Sequence, residues 1–168
     1  MLYIVMEYVK GKSLFDSSYG KMIEQETAVN IITGVCHGLE HAHDAGLLHR
    51  DVKPANILLT NKAVPKIGDF GLARPSEMTE TGVIFGTPDY SAPEVLGAPE
   101  KVDKRTDIFA VGIILYELMT GQLPKNPYVS VAQFADTDPR FDAIILKAMH
   151  PQIEQRYATT MDLSLIHI

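Results

Sequence analysis

The stretch from His49 to Gly71, HRDVKPANILLTNKAVPKIGDFG, constrains this 168-residue chain more than any other. Two apolar-rich runs, Ile57-Leu58-Leu59 and Val64-Pro65-Lys66-Ile67, flank a turn at Thr60-Asn61-Lys62, the pattern of a short antiparallel hairpin. A ladder of that kind brings its two ends together. The loop before it, with Asp51, Lys53 and Asn56, must therefore meet the turn after it, with Asp69. Two carboxylates and a carboxamide converge beside a lysine. Oxygen donors of this type suit a hard cation such as Mg2+, whose shell is usually completed by water and phosphate oxygens.

Helices dominate the remaining pattern. Ala28, Ile31, Ile32, Val35, Leu39 and Ala42 recur at helical spacing between Glu24 and Ala45, and Gly46 supplies a residue free to close the helix in a left-handed conformation. The run AVGIILYELMTG, ending at Gly121, is apolar nearly all round and predicts a buried helix. Arg140 to Met149 predicts a short amphipathic helix with Phe141, Ile144, Ile145 and Ala148 inward. Leu2 to Val9 is rich in β-branched and aromatic residues and predicts a strand ending at Lys10-Gly11-Lys12. The segments 73–90 and 122–139 read as loops.

Composition excludes several alternatives. A hydrophobic fraction of 46 % with 21 % charged residues belongs to an ordinary globular domain. A formal charge of -6 without a Lys/Arg cluster argues against nucleic acid as a partner. The longest apolar run, Ile108 to Met119, is broken by Glu117 and is too short to span a bilayer. No membrane contact is expected within the chain, and a cytoplasmic domain is the expectation, with any anchor of the parent protein lying in other segments. The single Cys36 reads as a buried structural thiol. His37, His41 and His43 have partial metal-ligand spacing but no acidic third ligand on their face, so they read as surface and cap histidines.

HRDVKPAN with Asp69-Phe70-Gly71 resembles the catalytic loop and DFG motif of protein kinases, and Ala92-Pro93-Glu94 resembles the end of their activation segment. The resemblance covers Leu2 to about Leu163 and is closest to the bacterial-type (eukaryotic-like) serine/threonine kinases. It implies an α+β kinase-like fold with a mainly helical large lobe, a short hairpin and one leftover small-lobe or hinge strand. It implies ATP and Mg2+ as cofactors and a protein substrate with a Ser or Thr acceptor. Asp51 would orient the acceptor hydroxyl and take its proton, and Lys53 would offset charge on the transferred phosphoryl group. Asn56 and Asp69 would hold the metal. Thr87, in Gly86-Thr87-Pro88, goes with the serine/threonine class.

Further roles are implied for the nucleotide and for control. Met6 falls at the gatekeeper position, the backbones of Glu7 and Val9 at the adenine edge, Ser13 near the ribose, and Leu58 against the adenine face. Arg50, with Arg74 as a second cation, would pair with a phosphate on the activation segment. Thr81 is the first choice for that phosphate, then Thr79, with Ser76 behind. His49 would pack beneath Phe70 ahead of Gly71, Asp107 would anchor the catalytic loop, and Glu94 would pair with Arg156. Ala55 weakens any preference for basic substrates. Glu117 is open to an upstream arginine or to a buried structural role.

The glycine-rich loop, its lysine and the partner glutamate of the family are absent from the sequence, so most of the small lobe is expected to be missing. Residues 1–163 are expected to form a partial kinase domain and 164–168 a non-native tail. The isolated chain is then expected to be inactive. The alternative is a pseudokinase-like binding or scaffold module, against which the intact Asp51, Lys53, Asn56 and Asp69 count.

Overall fold

The computed structural model describes residue 5 and residues 7–70, 74–75, 87–134 and 137–164. Met6, Gly71, Ser76, Thr79, Thr81 and the tail residues 165–168 lie outside the described residues.

Strand β1 (Gly11–Ser13) pairs antiparallel with β3 (Ile57–Thr60), which pairs antiparallel with β4 (Pro65–Ile67). The hairpin therefore forms where the sequence predicts it, with Ile57 opposite Ile67 at its open end. The described residues within Leu2–Val9 carry no strand, and the paired segment begins two residues later at Gly11. A Cβ at Gly11 would lie 1.8 Å from the Leu59 carbonyl oxygen, so only glycine lets the two backbones meet there. A two-residue strand, β2 (Leu47–Leu48), pairs with β5 (Arg74–Pro75), which places regular backbone where the sequence reads as loop.

Helix α1 (Leu14–Ser18) follows β1 directly, capped by Ser13. Helix α2 (Gln25–Asp44) buries Ala28, Ile31, Ile32, Val35, Cys36, Leu39 and Ala42, the stripe expected from its spacing. Glu24 caps its first turn through Glu26 N–H and Thr27 N–H, and Gly46 adopts φ +74° beyond its end. Helix α3 (Pro93–Gly97) is short. Helix α4 (Lys104–Thr120) buries Ile108, Val111, Ile114, Leu115, Tyr116, Leu118 and Met119 on all sides and stops at Gly121, φ +69°. Helix α5 (Arg140–Ala148) packs Phe141, Ile145 and Ala148 against it. Each fully buried Leu, Ile or Phe contributes about 1.5–3 kcal/mol of transfer free energy, and α4 gathers such residues between α2 and α5.

Helix α6 (Thr160–Ser164) closes the bundle against α2. Glu40 accepts from Thr160 Oγ1 at 2.5 Å and from the Thr160 and Met161 N–H groups, capping α6 from outside. Burial raises the Glu40 carboxyl, but these bonds outweigh it and hold the group below its ordinary value of 4.5. Ser164 is the last residue of this helix and is buried. Cys36 is fully buried, and desolvation pushes its thiol up to about 12, as an inert core cysteine requires.

Candidate active site

The loop between β2 and β3 is held from below by one carboxylate. Asp107, in the first turn of α4 and 2 % exposed, accepts the His49 N–H at 3.0 Å and the Arg50 N–H at 2.8 Å. His43 Nε2 lies 2.8 Å from the same carboxylate. Arg50 is thereby held at φ +66°, a conformation non-glycine residues rarely adopt. His43 corrects the sequence expectation: its side chain is buried at the end of α2, not on the surface, while His37 and His41 are exposed. The histidine after β2 plays a second bracing part. His49 Nε2 donates to the Gly68 carbonyl at 3.0 Å, and its Nδ1 accepts the Asp51 N–H at 3.3 Å, which fixes the tautomer from the network. The Phe70 ring sits 4.7 Å from the imidazole, centroid to centroid.

Above this base the polar residues converge. Asp51 Oδ2 meets Lys53 Nζ at 2.7 Å and accepts Asn56 Nδ2 at 3.1 Å. Its Oδ1 accepts both the N–H and the hydroxyl of Thr87, each at 3.1 Å. Lys53 Nζ donates in turn to Thr87 Oγ1 at 2.8 Å. Four donors fill the roughly four lone-pair positions of one carboxylate. Asn56 Nδ2 also binds the Asp51 carbonyl at 2.8 Å, which spends the amide nitrogen inward and leaves Oδ1 as the acceptor end. The Gly68 N–H donates to the Asn56 carbonyl at 2.8 Å, so Asp69, at φ +56°, follows directly from the Asn56 backbone. An amide oxygen and a carboxylate are hard oxygen donors of the kind that Mg2+ accepts. The donor chemistry fits.

The far end of the segment is clamped. Arg156, 5 % exposed, gives Glu94 two parallel bonds of 2.7 Å, Nη1 to Oε1 and Nη2 to Oε2. Thr106 Oγ1 donates to Glu94 Oε1 at 2.8 Å, and Arg156 Nε donates to the His150 carbonyl at 2.7 Å. Burial raises the Glu94 carboxyl, but the bonds from Arg156 and Thr106 outweigh it and keep the group below its ordinary value of 4.5. Glu117 takes the structural alternative within the described residues: it is buried and accepts the Tyr90 hydroxyl at 2.7 Å. Desolvation, aided by Asp89, pushes Glu117 above its ordinary value despite that bond.

Of the remaining expected residues, Ser13, Leu58 and Glu7 lie around the three-stranded sheet, where Leu58 is paired with both Ser13 and Lys66 and Lys66 meets Glu7. The Ser13 hydroxyl is engaged in capping α1, accepting Asp16 N–H at 3.0 Å and donating to Asp16 Oδ2 at 2.7 Å. Leu58 lies on β3 opposite Ser13. Glu7 meets Lys66 Nζ at 3.3 Å in an exposed pair, and Val9 carries no regular structure. Arg74 pairs by its backbone with Leu48. Tyr90 and Thr106 were not singled out from sequence, and His43 was noted only within its histidine cluster, without its partner Asp107. Among them only His43 carried a signal, since it lies three residues before the Gly46 stop and belongs to a histidine cluster already noted.

Buried α4 beneath a braced polar loop, with carboxylate, lysine and amide at one end of a hairpin, is the architecture of a protein kinase large lobe. The sequence matches the protein kinase domain family over residues 1–162, and the chain belongs to that family. It is 35 % identical to serine/threonine-protein kinase PknB of Mycolicibacterium smegmatis, over 96 % of this chain and 29 % of that protein. It is 38 % identical to the probable serine/threonine-protein kinase PknB of Corynebacterium glutamicum over the same shares. PknB of Mycobacterium tuberculosis is 37 % identical, again over 96 % and 29 %. The chain thus spans under a third of the length of these curated relatives. No described helix is long and apolar enough to cross a membrane.

Proposed function

We propose that residues 1–163 are the hinge and large lobe of a serine/threonine protein kinase domain, which in the complete protein transfers the γ-phosphate of ATP to a Ser or Thr hydroxyl of a protein. The observation that carries this reading is the Asp51 carboxylate gripped by Lys53, Asn56 and Thr87. An acceptor hydroxyl takes one of these positions on Asp51, in place of the Thr87 hydroxyl, and Asp51 receives its proton as the oxygen attacks. Lys53, already between Asp51 and Thr87, turns its charge toward the phosphoryl oxygens. Mg2+, when bound, neutralises the phosphate charge, and Asn56 and Asp69 are the residues that would hold it.

On this reading Leu58, Met6, Glu7 and Val9 line the adenine site. Arg50 and Arg74 answer a phosphate on the segment that bears Thr79 and Thr81. The domain works in the cytoplasm, and nucleic acid is not a partner. The isolated chain, without residues to clamp the β- and γ-phosphates from above, transfers phosphate at no useful rate.

The test uses the complete protein with Mg-ATP and a generic acceptor such as myelin basic protein, followed by phosphoamino-acid analysis. Phosphoserine and phosphothreonine are expected. Phosphotyrosine alone, or no transfer, overturns the reading, as does robust Asp51-dependent transfer by the isolated chain for its inactivity.

A further inference from the structure

A groove of about 610 Å³ opens beside the reactive loop. One end is Lys53 and Thr87, the pair that holds Asp51; the other is Gly121, Gln122 and Leu123, just past the end of α4. That volume falls within the ~300–1,000 Å³ typical of ligand sites. Because the groove is continuous with the residues that grip Asp51, whatever fills it is joined to the group that reacts there.

The walls are apolar and aromatic. Phe15 and Tyr19, one turn apart on and just after α1, pack with tilted rings, centroids 4.6 Å apart, and remain 41 % and 66 % exposed. Pro54 and Ala55 also line the groove, and Ala55 contributes no polar atom of its side chain to it. Two acids line the groove, the exposed Asp89 and the buried Glu117. Glu117 is not a free counter-ion. Its Oε2 is taken by the Tyr90 hydroxyl at 2.7 Å, and the group is only 8 % exposed. Lys53 is likewise neutralised by Asp51. A cationic occupant finds one exposed carboxylate, an anionic one finds two acids against it, and an apolar one finds the aromatic wall unobstructed.

Resting on the kinase reading, we propose that this groove selects protein substrates carrying a large apolar side chain, Leu, Met or Phe, at one fixed position near the acceptor. Phe15, Tyr19 and Leu123 are its specificity-determining residues.

The test measures kcat/KM of the complete protein on acceptor peptides that vary one position at a time among Leu, Phe, Ala, Arg and Glu. At one position Leu and Phe are expected to exceed Ala, Arg and Glu by about tenfold or more. Tyr19→Ala and Leu123→Ala, one exposed and one half-buried, are each expected to reduce that Leu-to-Ala ratio at least threefold. Transfer indifferent to every position overturns this inference alone, and so does a preference for Arg, which would make the acids the selecting groups. A ratio unchanged in both variants also overturns it. Absence of transfer to every peptide overturns the kinase reading together with it.

Discussion

Replacing Asp107 with asparagine removes the support of the reactive loop while leaving its shape almost unchanged. The carboxylate serves the His49 N–H and a His43 ring nitrogen with one oxygen and the Arg50 N–H with the other. An amide has a single acceptor oxygen. Whichever way it is turned, its NH2 faces one of the two backbone donors. One charge-assisted bond is lost and a buried N–H is left without an acceptor, at about 1–3 kcal/mol, and the surviving bonds lose their ionic character. The sum is about 2–4 kcal/mol, a large part of the ~5–15 kcal/mol that holds a domain folded. For a chain of this size, that lowers the melting temperature by about 4–16 °C.

Circular dichroism at 222 nm gives the melt, and hydrogen exchange of the His49 and Arg50 amides locates the damage. Both amides are expected to exchange faster in the variant. Asp103→Asn is the control, since Asp103 also caps α4 but its side chain is 39 % exposed and pairs with Arg105 at the surface. Its cost is about 1 kcal/mol or less. An Asp107→Asn melt within 1 °C of the parent, with both amides still protected, would refute the claim that this carboxylate holds the loop.

Two further outcomes follow from the same accounting. Arg156→Lys keeps the charge but loses the two-pronged geometry to Glu94 and the bond to the His150 carbonyl, and is expected to cost about 3 kcal/mol, read by urea denaturation; a loss under 0.5 kcal/mol contradicts it. Stability is expected to be flat near neutrality and to fall on both flanks. Glu94 and Glu40 titrate lower folded than unfolded, so their contribution is present above about 4.5 and fades as pH drops through their folded values. Tyr90 and Tyr128 are raised above 10 by burial and by their bonds to Glu117 and Asp142, so their contribution is present below about 10 and fades above it. A melting temperature that still rises below pH 4 contradicts the acid flank.

The hairpin, the α2 stripe and the all-apolar α4 were legible because each is written in local periodicity and ended by a local signal, as at Gly46 and Gly121. The meeting of the two turns also followed from the chain, since a short antiparallel ladder leaves them no other place. The contacts that hold the site from outside were harder. His43 lies 64 residues from Asp107 and Tyr90 lies 27 from Glu117, and no pattern in one stretch specifies a partner in another. Asp107 and the Glu94–Arg156 pair were expected only through the family resemblance. The pairing of Gly11–Ser13 rests on a backbone approach to Leu59 that only glycine allows, and β-propensity does not report it.

The central claim is that the four-donor grip on Asp51 marks the group that receives the acceptor's proton. Asp51→Asn in the complete protein tests it most directly, with single-turnover transfer from Mg-ATP and nucleotide binding measured side by side. The account predicts a fall of about 10²–10⁴-fold in the transfer rate with nucleotide affinity within a few-fold of the parent. Transfer at the parent rate in Asp51→Asn would contradict it.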